Sequence, residues 1–178
     1  PEDRQTQSLL ETLDLQIMNK YNEDKRIEFF HWGVMAATKR YESTGNQVFI
    51  DFSIGQAEAY LKYLRPKISK NSNSCYSVEG MLSLYAILAD MDKYSDFTLQ
   101  LKNRVINEMV KNQKLQIQPN QSQVYFDGKN YLFSEAMSYF EGAFLNGRLR
   151  PQVRVDATQH CLSALIKVHN SKLDITGN

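Results

Sequence analysis

Six segments of the sequence have the hydrophobic periodicity of α-helices, and two kinds of helix alternate along the chain. Three segments carry apolar residues on one face, and three are apolar on nearly every face. The amphipathic segments span about residues 5–21, 47–64 and 97–115, and the apolar ones span about residues 27–42, 75–91 and 153–169. An amphipathic helix keeps one face in water, whereas an apolar helix must be covered on all sides. The alternation therefore predicts an all-α fold of antiparallel helical hairpins, with the amphipathic helices in an outer layer and the apolar helices in an inner layer.

One stretch between the helices predicts a small β-hairpin. Val124-Tyr125-Phe126 and Tyr131-Leu132-Phe133 flank Asp127-Gly128, a dipeptide favoured in two-residue hairpin turns. Residues 134–144 are predicted to form a short helix, and residues 146–152 a loop. No obvious linker divides the 178 residues, so we expect a single helical domain over residues 1–178.

The composition restricts the classes of partner. The chain has 21 basic and 20 acidic residues and a net charge of +1, which gives no electrostatic reason to expect nucleic acid as a partner. No apolar run approaches the roughly 18 residues that a membrane span needs, so we expect a soluble protein. The sequence begins at Pro1, and removal of an earlier leader stays open.

The two cysteines, Cys75 and Cys161, are too few for a disulfide framework or a zinc site. Each lies in an apolar stretch, where a free cysteine packs as a small hydrophobe. The sequence therefore predicts two free, buried thiols. The three histidines share no metal-ligand spacing, so we expect neither a metal nor a cofactor.

The last apolar helix carries a narrow polar stripe. Asp156, Gln159, His160 and Ser163 fall at i, i+3, i+4 and i+7, while most of the other positions, including Leu162, are apolar and assigned to the core. Polar groups on a covered helix must face a cleft, a ligand or a buried hydrogen-bonding network. The pattern leaves these alternatives open.

A weak internal repeat links this stripe to the other two apolar helices. A shift of 80 residues places Glu79 and Gly80 on Gln159 and His160, and a shift of 47 residues places Trp32 and Gly33 on the same pair, Glu79 and Gly80. Because repeated hairpins stack side by side, the equivalent stripes are expected to converge on one axis.

The alternation of outer and inner helices, with inner helices such as CYSVEGMLSLYAIL and VDATQHCLSALIKV, resembles the α/α-toroid folds. These include the six-hairpin glycosidases, the polysaccharide lyases and uronyl epimerases of similar build, and the terpenoid-cyclase group. The chain supplies about half of the helices of a complete toroid, so a partner domain or a second copy would complete the ring. The chain also lacks the Asp-Asp-rich motif of a prenyl-diphosphate enzyme. The resemblance implies a cleft at one end of the inner helices, lined by Tyr76, Glu79, Arg154, Asp156, Gln159 and His160.

Glu79, Asp156 and His160 are the predicted catalytic residues. Asp156 and His160 could form a carboxylate–imidazole pair for acid–base work, or Glu79 and Asp156 could act as acid and base across a sugar. The structural alternatives are that Asp156 is a first-turn acid and that Glu79 pairs with Arg154 or Arg148.

Trp32, Tyr76, Arg154 and Gln159 are the predicted substrate-binding residues. The two aromatic rings could stack on sugars, although aromatic residues at helical spacing also build cores. The basic cluster of Arg148, Arg150 and Arg154 would suit an acidic ligand such as a uronate, or it is a solvated loop.

Three functions remain open at this level. A carbohydrate-directed domain, whether enzyme or binding protein, predicts an open polar cleft for an acidic or neutral oligosaccharide. A helical protein-interaction module predicts a closed polar seam and an exposed apolar patch on the outer helices. An enzyme acting on a hydrophobic substrate predicts an aromatic cavity.

Overall fold

The computed structural model describes residues 4–24, 27–67, 72–121, 123–126, 129–132, 135–147 and 150–175. Six α-helices lie in these ranges, one for each predicted helical segment. They are α1 (Arg4–Asp24), α2 (Ile27–Thr44), α3 (Gln47–Ala59), α4 (Cys75–Leu88), α5 (Ser95–Gln113) and α6 (Val155–Asn170). The predicted all-α class is confirmed. Among the described helices, none is long and apolar enough to cross a membrane.

The chain divides into two compact units, Pro1–Pro66 and Lys67–Asn178. The first contains α1, α2 and α3, and the second contains α4, α5, α6 and the strands. Each unit is described by itself below, and the single-domain assignment stays a prediction.

In the first unit, α2 and α3 form a hairpin, and α1 packs on α3. The predicted break after residue 42 is confirmed: α2 ends at Thr44, and Gly45 adopts a φ of +67° while its N–H donates to the carbonyl of Tyr41. Asn46 then caps α3, because its side chain accepts from the N–H of Val48 at 3.1 Å.

In the second unit, α4 contacts α5 on one side and α6 on another, as expected of an inner helix. A disulfide joins Cys75 of α4 to Cys161 of α6, with a Cα–Cα distance of 4.8 Å, and both residues are fully buried. The prediction of two free thiols is therefore wrong. The buried residues Ala157 and Ala164 lie about one turn on either side of Cys161, and these small side chains allow α6 to approach α4 closely.

Among the described residues of the second unit, four short strands form two antiparallel hairpins. The predicted hairpin is confirmed by β1 (Gln123–Phe126) and β2 (Lys129–Leu132), whereas its turn residues and Phe133 lie outside the described residues. The loop predicted at residues 146–152 is wrong, because β3 (Leu145–Gly147) pairs with β4 (Arg150–Val153). Leu145 and Val153 are register partners and pack with Leu115 and Ile117, a contact that becomes visible only once the strands pair. The helix predicted at residues 134–144 is a 3-10 helix, Glu135–Phe140.

Helix α6 is buried on one side only. Its buried residues are Ala157, His160, Cys161, Ala164 and Val168. Val155 is 86% exposed, Leu162 is 55% exposed and Ile166 is 52% exposed. The assignment of Leu162 to the core is therefore wrong: Leu165, rather than Leu162, packs against the buried cluster that contains Cys75 of α4.

Candidate functional site

A continuous polar cluster lies between α4 and α6. Helix α4 contributes Tyr76, Glu79 and Ser83, whose spacing places them on one face. Arg154, which precedes α6, and polar residues of α6 contribute the facing side chains of the cluster. The α4–α6 polar cluster comprises Tyr76, Glu79, Ser83, Arg154, Asp156, His160, Ser163 and Lys167. The structure thus brings the polar stripes of the two helices against each other.

The centre of the cluster is a buried carboxylate–imidazole pair. Glu79 and His160 are each 6% exposed, and Oε2 of Glu79 lies 2.6 Å from Nδ1 of His160. The hydroxyl of Ser163 donates to the other carboxylate oxygen at 2.5 Å. Because both oxygens of Glu79 have a partner on α6, the cost of burying this carboxylate is offset within the cluster.

Lys167 lies at the end of the cluster away from Arg154, and its side chain is 30% exposed. Its Nζ donates to the hydroxyl of Ser83 at 2.8 Å and to the backbone carbonyl of Glu79 at 3.4 Å. The same nitrogen lies 3.9 Å from the carboxylate of Glu79. Burial lowers the pKa of Lys167, while the charge of Glu79 acts in the opposite direction.

The outer end of the cluster reaches solvent. The Tyr76 hydroxyl donates to Oδ2 of Asp156 at 2.7 Å. The guanidinium of Arg154 binds the same carboxylate in a bidentate manner, with distances of 3.0 Å to Oδ1 and 2.6 Å to Oδ2. The side chains of Arg154 and Asp156 are 53% and 39% exposed. The Tyr76 ring lies against the His160 ring with a centroid distance of 3.9 Å, so Tyr76 links the two ends.

Two pKa shifts define the charges at the outer end. Burial, followed by the hydrogen bond to Asp156, raises the pKa of Tyr76 to about 12. The hydrogen bond from Tyr76 lowers the pKa of Asp156; burial opposes this shift, and Arg154 reinforces it. At neutral pH the end therefore presents a neutral phenol, a carboxylate and a guanidinium.

The shift at Tyr76 predicts a pH dependence of stability. Its folded pKa lies above the ordinary value of 10.0, so the folded chain binds more protons than the unfolded chain between pH 10 and about pH 12. The contribution of Tyr76 is complete below pH 10 and is lost as the pH rises through about 12. We expect urea denaturation of wild type to show a steeper alkaline loss than that of Tyr76→Phe. Parallel profiles for the two proteins would contradict the shift.

The structure gathers five of the seven predicted site residues in this cluster and leaves two elsewhere. The five are Tyr76, Glu79, Arg154, Asp156 and His160. Gln159 is exposed on α6, and Trp32 belongs to the first unit, where it is 54% exposed.

The pairs that these residues form in the structure differ from the predicted pairs. His160 contacts Glu79 of α4, and Asp156 contacts Tyr76 and Arg154, so the pairing of Asp156 with His160 within α6 is wrong. The polar partners of the Glu79 carboxylate are on α6. Arg148 lies outside the described residues, as does the side chain of Arg150.

A second buried carboxylate, that of Glu108, was not predicted from the sequence. Glu108 of α5 is 2% exposed; it accepts from the Ser74 hydroxyl at 2.6 Å and pairs with Lys111 at 2.8 Å. The burial of Glu108 could have been predicted from helical periodicity, because residue 108 lies on the same helical stripe as Leu101, Val105 and Asn112. These contacts join α5 to the residue preceding α4, which is a structural role.

Within the described ranges, no group of three or more His, Cys, Asp or Glu side chains is placed to hold a metal ion. Comparison with known proteins gives no match to any family model, curated protein or solved structure. The resemblance to the α/α toroids therefore stays a prediction.

Proposed function

We propose that the second unit is a carbohydrate-binding domain whose ligand contacts the outer end of the α4–α6 polar cluster. The observation that carries this proposal is the continuous chain of contacts from buried Glu79 to exposed Arg154. It joins residues of α4 to residues at the start of α6 in one polar network.

The outer end has the groups that recognition of sugars requires. Arg154 is a planar donor suited to carboxylates and hydroxyls, Asp156 is an acceptor, and Tyr76 offers part of an aromatic face. Gln159, exposed on α6, adds an amide that can donate and accept. An acidic oligosaccharide would compete with Asp156 for Arg154, and a neutral one would use the pair as donor and acceptor.

The buried pair acts as a support in this proposal. Glu79 and His160 are nearly inaccessible, and the His160 ring packs against Tyr76. They hold the Tyr76 ring, and through it Asp156, in a fixed position, which reduces the entropy lost on binding. A catalytic role for Glu79, Asp156 and His160 stays a prediction, and the proposal covers binding alone.

A thermal-shift screen with acidic and neutral oligosaccharides tests the function. We expect at least one class to raise the melting temperature of wild type, because a ligand that binds only the folded state stabilises it. Arg154→Ala should abolish this shift. Lys114→Ala, which removes an exposed cation after α5, is the matched control and should retain it. A lack of response to every oligosaccharide, or an unchanged response of Arg154→Ala, would refute the proposal.

A second candidate, a helical protein-interaction module, rests on the outward face of α6. Val155, Leu162 and Ile166 recur at i, i+7 and i+11 and are exposed, whereas the inner helix α4 is covered by the amphipathic helix α5. By analogy with α4, the partner would be an amphipathic helix resembling α5. Binding of a labelled peptide of residues 95–113, lost in Leu162→Glu, together with a silent oligosaccharide screen, would favour this function.

A further inference from the structure

Helices α1, α2 and α3 of the first unit line a partly open cavity of about 300 Å³. Its inner wall consists of Met18, Ala37, Phe49 and Phe52, which form a buried apolar cluster. Trp32 lies at its boundary and is 54% exposed. The volume is at the lower end of the range for small-molecule sites, which are mostly apolar with a few polar groups.

The depth of the cavity comes from short side chains on α2. Gly33, Ala36 and Ala37 all line it, and they lie on one face of the helix. None of these residues has a side chain that reaches across the space toward α1 and α3. The cavity is therefore a built feature of the helix packing.

An ion pair supplies the polar part of the lining. Nε of Arg40 lies 2.6 Å from Oδ2 of Asp14, and both side chains are partly buried. The pair places a donor and an acceptor side by side without net charge. A ligand group that both donates and accepts can bind both, whereas a charged group must give up hydration beside two charges that already neutralise each other.

From these observations we propose that this cavity binds a small neutral amphiphile, with an alkyl or aryl body against the buried wall and one hydroxyl or amide group at Asp14 and Arg40. This site is separate from the carbohydrate site proposed for the second unit. In this proposal Trp32 contacts an amphiphile instead of the sugar that the sequence suggested. The apolar lining favours this change, because a sugar needs many hydrogen-bonding partners.

Trp32 is the single tryptophan of the chain, so its fluorescence reports on this cavity. We expect 1-octanol to shift the emission of Trp32 to shorter wavelength in a saturable manner. Octanoate and octylamine, which have the same alkyl chain but a charged head, should bind at least about tenfold more weakly. If 1-octanol gives no saturable change, or if the three probes bind equally, the proposal is overturned.

Two variants and one control variant test whether the probe binds in this cavity. Ala36→Phe should fill the cavity from an exposed position on α2 and reduce octanol binding at least about tenfold. Lys39→Phe, which adds the same ring elsewhere on α2, should bind octanol as wild type does. Asp14→Asn leaves the charge of Arg40 uncompensated and should reverse the preference, so that octanoate binds more tightly than octanol. Wild-type binding by Ala36→Phe, or an unchanged preference in Asp14→Asn, would place the probe elsewhere and overturn the proposal.

Discussion

Removing the Cys75–Cys161 disulfide is expected to lower the free energy of unfolding by about 4 to 5 kcal/mol. The cross-link joins residues 86 positions apart, and closing so long a loop removes much of the conformational entropy of the unfolded chain. Both cysteines are fully buried, so Cys75→Ala with Cys161→Ala also leaves a small apolar gap. Chemical denaturation of the double variant and wild type measures the difference.

A reducing agent provides the control for this prediction. Wild type unfolded and refolded under reducing conditions should lose stability by nearly the same amount as the double variant. The double variant itself should not respond to the reductant. If wild type has the same stability with and without reductant, the disulfide does not contribute as described.

His160→Ala is expected to cost roughly 3 to 5 kcal/mol of stability. The substitution leaves the buried carboxylate of Glu79 with the Ser163 hydroxyl and a more distant ammonium, and an uncompensated buried charge is strongly destabilising. Replacing both members, Glu79→Leu with His160→Leu, should recover much of this loss because no buried charge remains. Unfolding measured in urea for the single and double variants tests the coupling.

Two leucines calibrate this experiment. Leu162→Ala, at a position that is 55% exposed, should cost less than about 1 kcal/mol. Leu82→Ala, at a position that is 1% exposed, should cost about 2 to 5 kcal/mol. A loss below about 1 kcal/mol for His160→Ala would show that water replaces the ring, and the pair would then belong to an open cleft.

The helices could be predicted because their periodicity is local, but the direction in which α6 faces could not. The sequence assigned Leu162 to the core from its hydrophobicity, whereas the buried residues of α6 are Ala157, His160, Cys161, Ala164 and Val168, most of them small or polar. Small residues pack where two helices approach closely, and that requirement depends on the partner helix. Three of the four residues of the predicted polar stripe, Asp156, His160 and Ser163, lie in the cluster, whereas Gln159 is exposed.

The partners of the site residues depend on contacts between distant parts of the chain. Tyr76 and Asp156 are 80 residues apart, and Glu79 and His160 are 81 residues apart. The weak repeat predicted that the stripes of these helices converge on one axis, but it did not predict which residues pair. The i, i+4 spacing within α6 suggested the pair Asp156 and His160. Such spacing describes residues of one helix only and carries no information about contacts with another helix.

The central claim is that the α4–α6 polar cluster binds oligosaccharide at its outer end, around Arg154 and Asp156, while the Glu79–His160 pair at its centre stays buried. The most direct test is an NMR titration of wild type with the oligosaccharide selected in the thermal-shift screen. We expect the side-chain Nε–H of Arg154 and the backbone amides of Asp156 and Gln159 to shift, while the amides of Ser163 and Lys167 stay unchanged. Shifts centred on Leu162 and Ile166, or no shifts in α6, would contradict the claim.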